Sequence, residues 1–154
     1  MKKVFPLIVL LCCLACSSCK SKNEPEEFKL TGTYWAYESS VSGTVSTWYY
    51  YYVWHFISET EGEEIRYSTD TRRVDIAKGE DPAKYGTIPT DNDKVVIHCT
   101  LNYPNITTYE TVTYYYTQVT EDKNYCEGEF ISNDMLALKF PKTGMYRYFH
   151  KISK

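Results

Sequence analysis

The sequence predicts an all-β domain, an antiparallel meander of about eight strands closed into a barrel. Three observations predict it. Tyr alone supplies 16 residues, and Tyr- and Thr-rich runs suit a pleated, half-buried surface. Apolar and polar positions alternate over short stretches, so Val95, Ile97 and Cys99 oppose Lys94, Val96 and His98, and Leu136, Leu138 and Phe140 oppose Met135, Ala137 and Lys139. Turn formers recur between these stretches, at Ser42-Gly43, Glu61-Gly62, Asn133-Asp134 and Thr143-Gly144. Short connections make sequence neighbours pair antiparallel. Closure then removes edges that such strands would otherwise expose to aggregation.

Taken in order, strands are expected over 31–38, 46–57, 63–69, 72–77, 93–100, 108–119, 125–131, 135–140 and 145–152. Further turns are expected at Asp91-Asn92-Asp93 and across Glu121-Asp122-Lys123-Asn124. The stretch AKGEDPAKYGTIPTDND, residues 77–93, is too long and too rich in Gly and Pro for a tight turn. It is expected to cover one end of the barrel or to carry function. No run of helical period is convincing after the N-terminal segment.

The segment before the domain reads differently. Lys2 and Lys3 precede an apolar stretch, Val4–Ala15, which is too short to span a membrane but fits the hydrophobic part of an export signal. LCCLACSSCKSK follows and resembles a bacterial lipoprotein signal, in which a Cys behind small residues is acylated and becomes the new N-terminus. The resemblance implies a signal peptide over 1–18, with Cys19 lipidated (alternatively Cys16) and residues 19–27 as a polar tether. It implies a cell-envelope protein anchored by lipid, most simply in the outer membrane, with its body facing the periplasm or the outside. Acyl chains on one Cys anchor firmly, at about 0.8 kcal/mol per buried methylene.

Of six cysteines, Cys99 and Cys126 alone belong to the domain. An oxidising envelope permits a bond between them. The strand order places a whole strand between theirs, about 10 Å across, beyond the ~7 Å limit of a disulfide. A bond would need a frayed strand end.

TWYYYYVWHF, residues 47–56, is the most aromatic stretch. At period two, Trp48, Tyr50, Tyr52, Trp54 and Phe56 form the more apolar face and are expected to point inward. There they either fill the barrel or line a pocket for one small ligand. Tyr49, Tyr51, Val53 and His55 then look outward. Tyr49, Tyr51 and His55, extended by Tyr114 and Tyr116, are the expected interaction surface, because contiguous exposed aromatics mark contact sites.

Catalytic chemistry finds no support. The chain lacks GxSxG, HExxH and P-loop patterns, and its CSSC belongs to the export segment. His55, His98 and His150 lie on different strands, and adjacent His98 and Cys99 point to opposite faces, so no metal or other cofactor is expected. With 17 basic against 20 acidic residues, the chain has no basic face for nucleic acid. A non-enzymatic role is expected.

LTGTYW, residues 30–35, resembles the opening LxGTW of lipocalin-like β-barrel lipoproteins of Bacteroidetes type, and EFISNDMLALKFPKTGMYRYFHKI is similar to their closing hairpin pattern. The resemblance runs from 30 to 152 and implies a lipocalin-like barrel over 28–154. Tyr34 stands where that family carries Trp, and alternation puts Trp35 on the opposite side. In related barrels a basic residue of the last strand packs across that Trp, which nominates Arg147. The implied function is binding of an apolar or amphipathic small molecule. The alternative is a filled barrel that docks an envelope protein or glycan through its outward Tyr face.

Overall fold

The computed structural model describes residues 28–90 and 92–154. The signal segment, the tether and the lipidation candidates Cys19 and Cys16 lie outside the described residues. Within them the chain is an eight-stranded antiparallel barrel, each strand pairing with its sequence neighbours and β1 with β8. The strands are β1 Tyr34–Ser42, β2 Thr47–Phe56, β3 Glu61–Thr69, β4 Lys94–Asn102, β5 Asn105–Thr113, β6 Thr120–Ser132, β7 Met135–Lys139 and β8 Tyr146–Ile152.

Several expected boundaries move, and the expected Glu61-Gly62 turn instead opens β3. Residues 72–77 form no strand; they open the β3–β4 connection, which carries 3-10 turns at Ile76–Lys78 and Pro82–Lys84. The Val74 N–H is taken by the Tyr51 hydroxyl at 2.7 Å instead of by a strand partner. Next, the Tyr-rich 114–119 segment is the β5–β6 turn, closed by Val119 O accepting from Tyr114 N, with Gln118 at φ 55°. Glu121–Asn124, expected to turn, therefore lies inside β6. Finally, Asn102 faces Asn105 across a turn containing the cis Tyr103–Pro104 bond.

One end of the barrel is tightly zipped. Trp35 is wholly buried there, edge-on to Phe130 at 5.2 Å between centroids, with Nε1 donating to Thr33 Oγ1 at 2.8 Å. Trp35 thus faces the interior and Tyr34 lies outside, stacked on His55 at 4.1 Å; the two alternate as expected, and the family's inward position falls on residue 35, not 34. Phe28 seals the end against Tyr103 and Phe130. Glu59, in the β2–β3 turn, accepts from the backbone N–H groups of Leu30 and Thr31. Above this base, Trp54, Phe56, Phe149, Leu136, Leu138 and Ile97 fill the middle of the barrel. Trp54 and Phe149 stand 4.4 Å apart.

The other end splits along three seams. The β1–β8 ladder stops at Ala36↔His150, the β3–β4 ladder at Glu64↔Val95 and the β6–β7 ladder at Glu127↔Lys139. The β1–β2–β3 and β4–β5–β6 ribbons rise beyond the short β7–β8 hairpin. The β3 seam is bridged by the long connection, where Ser68 and Thr87 exchange backbone hydrogen bonds at 2.9 and 3.0 Å. That connection then lies along the outer wall. Val74 and Ile76 pack there on Ala36, Tyr51, Val53, Tyr67 and Ile152 as a second apolar cluster. Tyr51 and Val53 point outward as expected, yet both are wholly buried. The outward face of β2 is a packing surface for the connection, which removes Tyr51 from the expected contact surface.

Cys99 and Cys126 both stand opposite Thr108, with β5 between them, and both are free thiols. Burial pushes the Cys99 thiol up to about 11 and the Cys126 thiol to about 12. Thiols so disfavoured as thiolates are poor nucleophiles.

Candidate functional site

The split end assembles the polar chemistry of the interior. Glu64, nearly buried, accepts from Trp54 Nε1 at 3.0 Å and from Arg66 Nε at 2.7 Å. Burial works against the Arg66 cation, but the Glu64 carboxylate beside it holds its pKa above the ordinary value. Burial likewise raises the Tyr52 phenol. Arg147 stacks its guanidinium on Phe140 at 4.3 Å and on Tyr37 at 5.2 Å. The expected packing of Arg147 across the base Trp is therefore corrected: Phe130 occupies that role, and Arg147 points to the open end.

β6 carries a bulge beside this group, where Asn124 and Tyr125 oppose Tyr109 alone between the Thr108↔Cys126 and Glu110↔Lys123 pairs. Asn124 takes the left-handed conformation, φ 51°, which Asn tolerates better than most residues. Its Nδ2 donates to Glu110 Oε2 at 2.6 Å, while Tyr125 is sent outward beside Tyr109. Bulges often re-aim side chains in this way. Glu110 is buried, and desolvation raises its pKa above the ordinary carboxylate value. A carboxyl raised on folding favours the folded state when protonated, so its contribution declines as pH rises from the ordinary value through the raised one. Glu110→Gln is expected to raise the melting temperature at neutral pH, with a gain that shrinks as the pH falls toward 4.5. A gain independent of pH in thermal melts would contradict this origin.

Two grooves flank the β7–β8 hairpin, one at each seam. The β6–β7 groove has a volume of 650 Å³. Its wall is Tyr109, Tyr125, Phe140 and Pro141, with Asp122, Lys123 and Lys142 as its charged lining residues. Lys123 lies over the Tyr114 ring at 4.6 Å and 3.3 Å from Glu121. The β8–β1 groove, 480 Å³, lies between Glu38 of β1, Tyr146, Tyr148 and His150 of β8, and the start of the long connection at Arg73–Ala77. Both volumes fall in the roughly 300–1,000 Å³ range of small-molecule sites.

Tyr51 ties the second groove together from behind. Its buried hydroxyl accepts from Val74 N–H at 2.7 Å, and across the β1–β2 ladder it stands opposite Glu38, whose carboxylate takes Arg73 Nε at 2.9 and 3.0 Å. Burial first, then Glu38, pushes the phenol up to about 12. Tyr51→Phe leaves the Val74 N–H without its acceptor and is expected to cost about 1–3 kcal/mol. Urea denaturation reads the loss, and native-state hydrogen exchange should show protection lost first at 73–78. A loss spread evenly over the barrel would argue against this local role.

The residues expected to line one pocket do not converge. Trp54 and Phe56 are core, Tyr52 and Tyr50 are half-buried toward the open end, and Trp48 is 42% exposed beside the β1–β2 turn. Of the expected contact surface, Tyr49 packs half-buried at the edge of the second cluster, and His55 is stacked on Tyr34 with Nδ1 3.3 Å from Glu63. Tyr114 and Tyr116 sit on the β5–β6 turn, with β3 and β4 between that turn and β2, and do not extend the face of Tyr49. Tyr116 is itself 80% exposed on its turn, and on the strands the exposed outward rings include Tyr109, Tyr125, Tyr146 and Tyr148. Their signal was present: Tyr146 and Tyr148 alternate with inward Arg147 and Phe149.

On the outer wall Thr111 Oγ1 donates to Asp122 Oδ1 at 2.8 Å and lies 3.1 Å from His98 Nε2. This chain crosses three strands as a hydrogen-bond ladder. Among the described residues, no group of three or more His, Cys, Asp and Glu side chains has metal-binding geometry. No protein-family model matches the chain, and neither a curated protein nor a solved structure matches it.

Proposed function

We propose that the chain is an exported, lipid-anchored envelope lipoprotein that binds an amphipathic small molecule without chemical turnover, and that the ligand lies in the β6–β7 groove instead of the barrel interior. One observation carries this reading. The interior is filled by Trp54, Phe56 and Phe149, while the seam groove pairs an aromatic wall with the ammonium groups of Lys123 and Lys142, the Asp122 carboxylate that also lines it being engaged by Thr111 Oγ1. An apolar tail can cover Tyr109, Tyr125 and Phe140, and an acidic head can reach the ammonium groups. The likeness to lipocalin-like lipoproteins supports small-molecule binding by analogy of fold alone. Lipidation at Cys19 follows from the signal-like segment; Cys19→Ala is expected to leave the protein unacylated by intact mass and to release it from the membrane fraction. If Cys16 carries the lipid instead, that variant stays anchored.

The test is native mass spectrometry of the body released from its native membrane. A reproducible extra mass, lost on denaturation and absent from Tyr125→Ser/Lys142→Glu protein, is the expected result. A bare mass, together with no saturable binding of a medium-chain fatty acid, would overturn the reading.

A further inference from the structure

The second groove asks for different chemistry. Its charges are already neutralised in pairs: Arg73 Nε holds both Glu38 oxygens at 2.9 and 3.0 Å, and Asp75 Oδ2 lies 2.7 Å from Lys78 Nζ. The pairing leaves little net charge to recruit an ionic ligand, whereas a neutral, hydroxyl-rich one can add to the pairs as they stand. Each carboxylate keeps acceptor lone pairs, the Arg73 Nη groups keep donors, and hydroxyls both give and accept. Glu38 is held largely buried by both bonds from Arg73 Nε, so its acceptor positions are set before any ligand arrives.

The wall supplies the complement. Tyr146 and Tyr148, 53% and 49% exposed, present near-parallel rings 6.4 Å apart and 18° from coplanar orientation. A pyranose ring has faces of polarised C–H bonds, which are attracted to the negative face of an aromatic ring, and a rim of hydroxyls. A site of two Tyr rings facing pre-set carboxylates and a guanidinium matches both parts. Tyr also provides this area at small entropy cost, with two side-chain torsions to fix.

From this pairing of exposed parallel rings with neutralised polar groups, we propose that the β8–β1 groove binds a neutral oligosaccharide. It is separate from the β6–β7 groove, the two lying on opposite sides of the β7–β8 hairpin. The strand edges at this seam are unpaired beyond Ala36 and His150, so backbone N–H and C=O groups there add to the hydroxyl partners.

The experiment uses the full lipidated chain in a detergent without sugar groups, on an array of neutral α- and β-linked glucans, mannans, galactans and xylans with uronic-acid oligosaccharides as charged controls. The expected result is saturable binding of at least one neutral oligosaccharide. Tyr148→Ala should weaken it about tenfold, the size of one good aromatic contact, and Glu38→Gln should weaken it comparably, while Tyr125→Ser leaves it unchanged. Tyr148→Leu, which keeps apolar bulk without the ring, serves where the Ala variant folds poorly and should show the same loss. No binding to any neutral glycan, a preference for the uronic acids, or binding indifferent to Tyr148 and Glu38 would each overturn the proposal. Loss of fatty-acid binding in the Tyr125 variant with glycan binding intact separates this site from the other.

Discussion

Trp54→Ala is expected to destabilise the barrel by about 3–5 kcal/mol, the usual cost of removing a large buried ring. That is a large fraction of the roughly 5–15 kcal/mol that holds a domain together. The indole fills the centre of the molecule, against Phe149 at 4.4 Å and Phe56 at 6.2 Å. Its loss has a second part. Glu64, nearly buried, would keep Arg66 but lose the indole N–H that now meets its other oxygen. Trp54→Phe separates the two contributions, since it keeps most of the ring and removes only the donor. Urea denaturation of both variants checks the order, with Ala well below Phe and Phe below the parent. Equal stability of the Phe variant and the parent would mean that the N–H···Glu64 bond contributes nothing. The Ala variant should also gain an apolar cavity, and small aromatic molecules should stabilise it but not the parent.

Gly128→Val should be comparably severe, by a different route. Gly128 faces Leu138 across the β6–β7 ladder, and an added Cβ would strike the Leu138 side chain and come within 2.5 Å of the Ala137 carbonyl oxygen. The oxygen belongs to the backbone and cannot rotate away, so the strands must part where the ladder is already short. We expect about 3 kcal/mol or more, the upper part of the range for overpacking, with low soluble yield. Gly43→Ala is the control: its nearest neighbour, Ser46 O, lies at 3.4 Å, ordinary contact for a Cβ. Near-native stability of the Val variant would show that the β6–β7 ladder is slack.

Much of the barrel was legible because burial follows alternation wherever one strand face meets solvent. β4 is the clear case, with Val95, Ile97 and Cys99 buried and Val96 and His98 only partly so. The separation of Cys99 from Cys126 could be read from strand order alone. β2 could not be read this way. Its lower half is buried on both faces, by the core and by the long connection, and a doubly covered strand loses its alternation. The run of aromatics on both faces was the trace of that second layer, but nothing local says which distant segment supplies the cover.

Tyr114–Tyr116 misled for a related reason: β propensity reports a fit to a pleated surface, and a turn can carry the same residues at a sheet's end. The candidate sites were the least legible part. Each groove exists because a ladder stops early, and where a ladder stops depends on the relative lengths of strands far apart in sequence. Glu38 and Tyr148 meet across such a gap from opposite ends of the chain.

The aromatic seal at the base also sets an orientation. Phe28, the first described residue, is fastened between Tyr103 and Phe130 at the zipped end. The described chain therefore begins at that end. A lipid on Cys19 would be tied there by a leash of eight residues, about 25 Å when extended. The body would ride with its sealed pole toward the bilayer and its divided pole outward. Both grooves would then face away from the membrane, toward ligands arriving from the aqueous side.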